Sequence, residues 1–353
     1  MTARRVPENP ILTPSSFAPS RPDFKVVGAF NPAAVRKGDE TWLLVRVAEA
    51  PIDVAPDEVV SPVYDHAAGA IVVRRFPRST PGLDTEKDTR IFKVGADTFL
   101  TSISHLRWAR SRDGVTFEVD ARPALEASHP LEAFGVEDAR ITEIDGTYWV
   151  NYTAVSPHGI ATALASSRDL VTFERHGIVF TPSNRDVTFF PTKISGRFVA
   201  HHRPMPDHVG RPSIWYASSS DMLAWGDHRL VASARPGHWD DEKIGGGAPP
   251  VLVTYQGRPA WLSIYHGVTS SPLTYSLGAL VLDHDDPSIV LARSREPVLR
   301  PEAPFEVRGF FGNVVFTCGV TVDGDTMRIY YGAADGVTAL AELSIEAILA
   351  DVA

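Results

Sequence analysis

Cysteine is nearly missing from this chain: Cys318 is the only one in 353 residues. No intrachain disulfide can form, and no thiolate-held zinc cluster can be built. The neighbours Phe316, Thr317, Gly319 and Val320 read as a strand, which predicts a buried, inert thiol. Long apolar runs are missing too. Residues 1–22 are rich in Pro, Ser and Arg without the apolar core of a signal peptide, and nowhere do about 20 apolar residues follow one another. The expectation is a cytoplasmic protein without membrane association, working on a substrate small enough to be imported. Basic residues are the minority, 34 against 43 acidic ones for a net charge of −9, which argues against nucleic acid or an anionic membrane as the main partner. No His-Glu-x-x-His or other metal spacing occurs, and no Gly-x-Ser-x-Gly nucleophile elbow, so neither a metal nor a cofactor is expected.

Helical periodicity is scarce as well; the one helical stretch is the C-terminal Leu340–Asp351. Short apolar or alternating runs dominate instead, among them Thr41–Val47, Tyr148–Thr153, Ala260–Tyr265 and Met327–Gly332. Turn signals such as Lys37-Gly38-Asp39 and Ile144-Asp145-Gly146 bound them, which is an all-β pattern. Internal repetition gives the architecture. Asp88-Thr89-Arg90-Ile91 is echoed by Asp138-Ala139-Arg140-Ile141, and a Ser-x-Asp turn recurs at Ser111-Arg112-Asp113, Ser167-Arg168-Asp169 and Ser219-Ser220-Asp221. Strand-only repeats of this length are the spacing of a β-propeller, whose ligand site lies at the central channel. About five units are counted, near Trp42, Phe99, Trp149, Trp215–Trp261 and Tyr330. The prediction is a five-bladed propeller forming a single domain over residues 1–353, with an extended N-terminal arm over 1–22 and a short C-terminal helix. A β-sandwich is the alternative, disfavoured because sandwiches rarely repeat so closely.

Charged residues at strand entrances are the candidates for chemistry. An isolated Asp-x-Arg is usually a local ion pair. The second copy differs, because Phe134-Gly135-Val136-Glu137-Asp138-Ala139-Arg140 sets three charges after an apolar, glycine-containing turn. A carboxyl held against apolar surface and a second carboxylate has a raised pKa, as a general acid requires. Glu137 and Asp138 are both open for that role. A second acidic cluster, Trp239-Asp240-Asp241-Glu242-Lys243, runs into Gly245-Gly246-Gly247-Ala248-Pro249-Pro250. The glycines are no phosphate loop, because the prolines forbid the helix such a loop needs; a rigid, closely packed turn is expected instead. His201-His202-Arg203 and His266 complete the set. Two acidic clusters on an all-β channel favour acid/base chemistry on sugars.

The ordered segments Ala29-Phe30-Asn31-Pro32-Ala33, Leu43-Leu44-Val45-Arg46, Glu137-Asp138-Ala139-Arg140, Phe190-Pro191-Thr192-Lys193-Ile194, His202-Arg203-Pro204, Tyr265-His266-Gly267 and Tyr331-Gly332-Ala333-Ala334-Asp335 make the chain resemble glycoside hydrolase family 130. That family comprises β-mannoside phosphorylases and β-1,2-mannosidases on a five-bladed propeller. The resemblance implies a small manno-oligosaccharide as substrate and inversion at the anomeric carbon. It implies Asp138 as general acid, its proton passing through a sugar hydroxyl; Ala139 stands where the family usually has proline. Asn31, Arg46, Asp88, Arg90, Arg140, His202, Arg203, His266 and Asp335 are implied to line the sugar or anion site. Glu242 stands where phosphorylases tend to carry a neutral residue, and a carboxylate there would repel phosphate and activate water. The expectation is therefore an inverting hydrolase of β-mannosidic, chiefly β-1,2, linkages with Glu242 as base. Against it, Thr192 replaces a glutamate associated with hydrolases. The alternative is a phosphorylase in which Arg46, Arg140, Arg185 and Arg203 hold inorganic phosphate as co-substrate. Two rivals lie further off: a non-catalytic sugar- or protein-binding propeller, and the arabinan- or xylan-cleaving propellers, whose N-terminal Asp is poorly matched by Asp23. A homo-oligomer is left open.

Overall fold

The structure, a computed structural model, describes residues 3–85 and 89–352. Five sheets follow one another along the chain. The first comprises Phe24–Lys37, Glu40–Pro51, Ile103–Ser111 and Glu118–Val119, and the second Val136–Ile144, Thr147–Ser156, Gly159–Ser167 and Glu174–Phe180. The third is built from Asn184–Phe189, Phe198–Pro204, Ile214–Ser219 and Gly226–Ala232. In the fourth, Lys243–Gly246 and Val251–Tyr255 both pair with Arg258–Ser270, followed by Leu273–Asp283 and Val290–Arg293. Val315–Asp323, Thr326–Ala333 and Val337–Ser344 form the fifth. Its fourth strand comes from the other chain end: Arg4 lies opposite Glu342 and Arg5 opposite Ala341. All the strand pairs named are antiparallel, as short turns between neighbours require.

The core lies between the sheets. Trp42, Leu44 and Trp108 of the first pack on Ile141, Val150 and Tyr152 of the second. Leu164 and Phe180 of the second meet Phe189 and Ala217 of the third, and Val199 and Tyr216 of the third meet Trp261 and Leu280 of the fourth. Ile264 and Leu277 continue to Ile329 and Tyr331 in the fifth, whose Tyr330 and Leu340 join Leu43 and Val45 of the first. Half-buried and exposed side chains alternate along Val251–Tyr255, as a strand with one wet face demands.

The Ser-x-Asp turns are real repeats, each joining the third and fourth strands of the first three sheets. Asp113 Oδ1 accepts from the Val115 and Thr116 amides at 2.8 Å each, Asp169 Oδ1 from Val171 and Thr172 at 2.8 Å, and Asp221 Oδ1 from Leu223 and Ala224 at 2.9 Å. The Asp88–Asp138 echo is a different matter. Asp88 lies outside the described residues, and Ile91–Val94 beside it belongs to a small sheet with Leu83–Asp84 and Asp97–Leu100. That sheet and the hairpin Glu58–Asp65/Ala70–Pro77 are inserted between the second and third strands of the first sheet. Phe99 therefore marks no repeat unit, and Trp215 and Trp261 mark two. The helix also starts later than expected, at Ile345–Val352, because Leu340 and Leu343 belong to the strand Val337–Ser344. Cys318 is buried, and no helix among the described residues is long and apolar enough to cross a membrane.

The N-terminal strand is held by an ion pair as well as by its ladder. Arg5 Nε and Nη2 donate to Glu306 at 2.7 and 2.9 Å, and Glu306 also accepts from the Tyr331 hydroxyl at 2.6 Å. Burial alone would raise the Glu306 pKa; the hydrogen bonds from Arg5, the Glu302 and Ala303 amides and Tyr331 outweigh it and hold it below the usual range. Arg5→Ala strands a carboxylate whose side chain is 0% exposed, at an expected cost of about 3 kcal/mol in urea unfolding. Because the folded pKa of Glu306 is depressed, its stabilisation is present above the unfolded value of about 4.3 and is lost as pH falls. The gap between wild type and variant should therefore narrow below about pH 4; a gap unchanged down to pH 3 refutes the assignment.

Candidate active site

Three leading strands break their pairing at the same station. Register shifts lie between Phe30 and Ala33, Glu137 and Arg140, and Arg185 and Thr188. Within these bulges Asn31, Asp138 and Asp186 take positive φ angles of 49°, 46° and 56°. Asn and Asp tolerate this conformation better than other residues with a Cβ, and a bulge re-aims its side chain out of the sheet alternation. All three side chains line one cavity of about 370 Å³, shared by all five sheets or the loops next to them. In the fourth sheet the leading strand is interrupted at Gly247–Pro250, and its glycines permit close packing. A Cβ on Gly245 would lie 2.4 Å from the His266 ring, and one on Gly246 would lie 2.5 Å from the Asp186 carbonyl.

One end of the cavity holds three carboxyls and two guanidinium groups. Asn31 Nδ2 donates to Asp138 Oδ1 at 3.0 Å. Arg46 donates to the same oxygen at 3.2 Å and to Glu137 Oε1 at 2.7 Å, while its Nε reaches Ser104 at 3.0 Å. Arg90, delivered by the insertion, donates to Asp335 at 3.1 Å and lies over the Phe311 ring at 4.1 Å. Burial raises the pKa of both Glu137 and Asp335, against the pull of Arg46 on each and of Arg90 on Asp335. A carboxyl cluster of this kind keeps a proton more readily than an isolated one.

The other end is cationic. Arg185, Arg203, Lys243 and His266 line it, beside the Tyr275 ring, 5.2 Å from Lys243 Nζ. Arg203 Nη2 is 3.0 Å from Asp186 Oδ2 and its Nη1 is 3.3 Å from His266 Nε2. Burial drives the His266 pKa down to about 3, so the imidazole is neutral at pH 7. Arg46, Arg90 and Arg203 each form an ion pair with a carboxylate; among the described residues Arg185 and Lys243 form none at contact distance, although Arg185 acts on Asp186 through its charge. The Nε atoms of Arg185 and Arg203 are buried without a hydrogen-bond acceptor. This end of the cavity therefore carries surplus positive charge and unmet donors, which is what an oxyanion ligand requires.

Of the residues expected here, Asn31, Arg46, Arg90, Asp138, Arg203, His266 and Asp335 all line the cavity. Three others do not. Arg140 is buried beneath it, its donors taken by the carbonyls of Asp138, Gly246 and Gly247 and by Asp186. His202 faces the other side of its strand, stacked on Phe180 at 4.8 Å and bonded to His228 at 3.1 Å. Glu242 is exposed outside the cavity, and its backbone amide donates to the Val268 carbonyl at 2.9 Å. Its neighbour Lys243 is the residue that faces in, because successive strand residues point to opposite sides. Lys243 and Asp186 were missed. Asp186 was marked by its distance from Asp138, one repeat length further on, in a segment with the same charged-Asp-apolar pattern.

Comparisons with known proteins point the same way. A family model for glycoside hydrolase family 130, described as β-1,4-mannooligosaccharide phosphorylase, matches residues 87–352. The chain is 42% identical to the β-1,2-mannobiose phosphorylase of Listeria innocua serovar 6a, over 99% of this chain and 98% of that one. It is 39% identical to the 1,2-β-oligomannan phosphorylase of Thermoanaerobacter sp., over 70% of this chain and 80% of that one. Its structure matches the Listeria innocua β-1,2-mannobiose phosphorylase solved with β-1,2-mannobiose at a TM-score of 0.95 and 41% identity, covering 100% of this chain and 99% of that one. The expected hydrolase is thereby corrected. The similar relatives are named phosphorylases, and the proposed base Glu242 does not reach the cavity.

Glu242→Gln should accordingly leave turnover of a β-mannoside within about twofold of wild type, as for surface substitutions generally. Abolished turnover in the folded variant would return Glu242 to the chemistry.

Proposed function

The chain belongs to glycoside hydrolase family 130, and we propose that it is a phosphorylase that splits β-1,2-mannobiose with inorganic phosphate into mannose and mannose 1-phosphate. The observation that carries this reading is the gathering of Arg185, Arg203 and Lys243 beside His266, with Asp186 as the carboxylate ion-paired among them. Water needs no such cluster; an anionic nucleophile does, because its charge must be compensated where bulk solvent is excluded. The named activities of the 42% and 39% identical relatives support the same choice.

In this mechanism the sugar occupies the acidic end and phosphate the cationic end. Phosphate attacks the anomeric carbon from the face opposite the leaving group, so the configuration inverts. The glycosidic C–O bond breaks as the new C–O–P bond forms. Asp138 supplies the proton for the departing oxygen, by way of a sugar hydroxyl, and recovers one from hydrogen phosphate, so no water is consumed. Asn31 and Arg46 hold Asp138 in place. Arg90 and Asp335 bound the sugar site from the insertion and the fifth sheet. We read the five sheets as the blades of one propeller forming a single domain. The packing of the fifth sheet's core on the first, and the N-terminal strand within the fifth, support that architecture.

The deciding experiment is product analysis on β-1,2-mannobiose with and without phosphate. Mannose 1-phosphate should accumulate with phosphate in proportion to the mannobiose consumed, and little mannose should be released without it. Phosphate-independent release of two mannoses per disaccharide would end the reading. Asp138→Asn should lower turnover by about 10²–10⁴ in a folded protein. Lys243→Ala should raise the phosphate KM at least about tenfold while leaving that for mannobiose near wild type. A rise confined to the mannobiose KM would move Lys243 to the sugar site.

A further inference from the structure

The cationic end of the cavity contains one carboxylate that the proposed chemistry leaves unused. Asp186 is buried in the bulge of the third sheet's leading strand, at the station that Asp138 occupies in the second. Burial by itself would raise its pKa, but Arg203, His266, Arg140 and Arg185 outweigh it and hold the group well below the usual carboxylate range. An ionised carboxylate inside an anion site repels the ligand unless it also bonds to it. Asp186 has the capacity to do so. Its two oxygens offer about four acceptor directions. Arg140 Nη2 at 3.4 Å, Arg203 Nη2 at 3.0 Å and His266 Nε2 at 3.6 Å take three at most. The side chain lines the cavity beside Arg185 and Lys243.

We infer that Asp186 is the specificity-determining residue of the anion site, accepting a hydrogen bond from the O–H of hydrogen phosphate and turning away tetrahedral anions that lack one, sulfate above all. This rests on the phosphorylase reading. Near neutral pH phosphate keeps a proton on one oxygen, whereas sulfate and selenate keep none. The three ions are alike in shape and would use the same cations, so the carboxylate is the group that tells them apart. A partner it cannot hydrogen-bond leaves it buried against a second negative charge, the arrangement that discriminates most strongly. Asp186 accepts this hydrogen bond in binding and takes no proton itself; during turnover the proton leaves phosphate to restore Asp138.

Calorimetric titration of the full chain with phosphate, sulfate and selenate reads the selectivity directly, and phosphorolysis of β-1,2-mannobiose reads turnover separately. Wild type should bind sulfate and selenate at least about tenfold more weakly than phosphate. Asp186→Asn keeps the shape but offers an amide donor in place of the charge. Phosphate should weaken, sulfate should tighten, the gap should close to within about threefold, and the mannobiose KM should stay put. If the variant loses affinity for both anions in equal proportion, Asp186 only positions Arg203 and the inference is wrong. Should the variant not fold, the wild-type titration decides: sulfate binding within about threefold of phosphate overturns the inference. Absence of mannose 1-phosphate with normal anion selectivity would sink the phosphorylase reading instead.

Discussion

The buried guanidinium of Arg140 ties the site together. Its Nε donates to the Gly247 carbonyl at 3.0 Å, Nη1 to the Asp138 carbonyl at 3.0 Å, and Nη2 to the Gly246 carbonyl at 3.1 Å and to Asp186 at 3.4 Å. One side chain thus joins the leading strands of the second, third and fourth sheets at the points where each departs from regular pairing. Bulges and a broken strand expose carbonyls that no ladder satisfies, and burying them unpaired is costly. Only a planar fork with five donors meets so many acceptors at once, and lysine could not replace it. Asp138, Asp186 and Lys243 hang from the strands that this group fixes. That is why it sits beneath the cavity and not in it.

Asp138 and Asp186 show how one backbone station yields two behaviours. Both follow a charged residue, both take positive φ, and both line the cavity. Asp186 is surrounded by Arg140, Arg185 and Arg203, so its carboxylate is pinned and works as a counter-charge. Asp138 shares Arg46 with Glu137 and has Asp335 nearby, so carboxyls stand among its neighbours. The division comes from which neighbours each sheet contributes.

Much of this was legible in the sequence. Turn-bounded short strands and Ser-x-Asp repeats give the all-β class, and the motif residues Asn31, Arg46, Asp138, Arg203, His266 and Asp335 do converge. Two of the errors share a physical cause. In a strand the side-chain period is two, so a reading one residue off selects the wrong face. His202 was taken with Arg203, and Glu242 was preferred to Lys243; in each pair the structure turns only the second residue into the cavity. That single step in register also reversed the sign of the charge offered to the nucleophile, and with it the reaction expected.

The insertion between the second and third strands of the first sheet explains the remaining misreading, and what it does is not visible in the repeat pattern. It separates Glu40–Pro51 from its partner Ile103–Ser111 by a hairpin and a three-stranded sheet, so the first unit is far longer than the others. The strand Ile91–Val94 that follows the echo at Asp88 belongs to this insertion. Long insertions are tolerated because the entropy of closing a loop grows only slowly with length. Here the inserted chain also contributes to the site. Arg90 crosses to Asp335 and Phe311, so the first sheet reaches the loops of the fifth across the mouth of the cavity. The acidic end of the site is therefore completed by a segment outside the repeating scaffold, whereas the cationic end is made from scaffold strands alone. Variation in that segment can reshape the sugar end while leaving the anion end untouched.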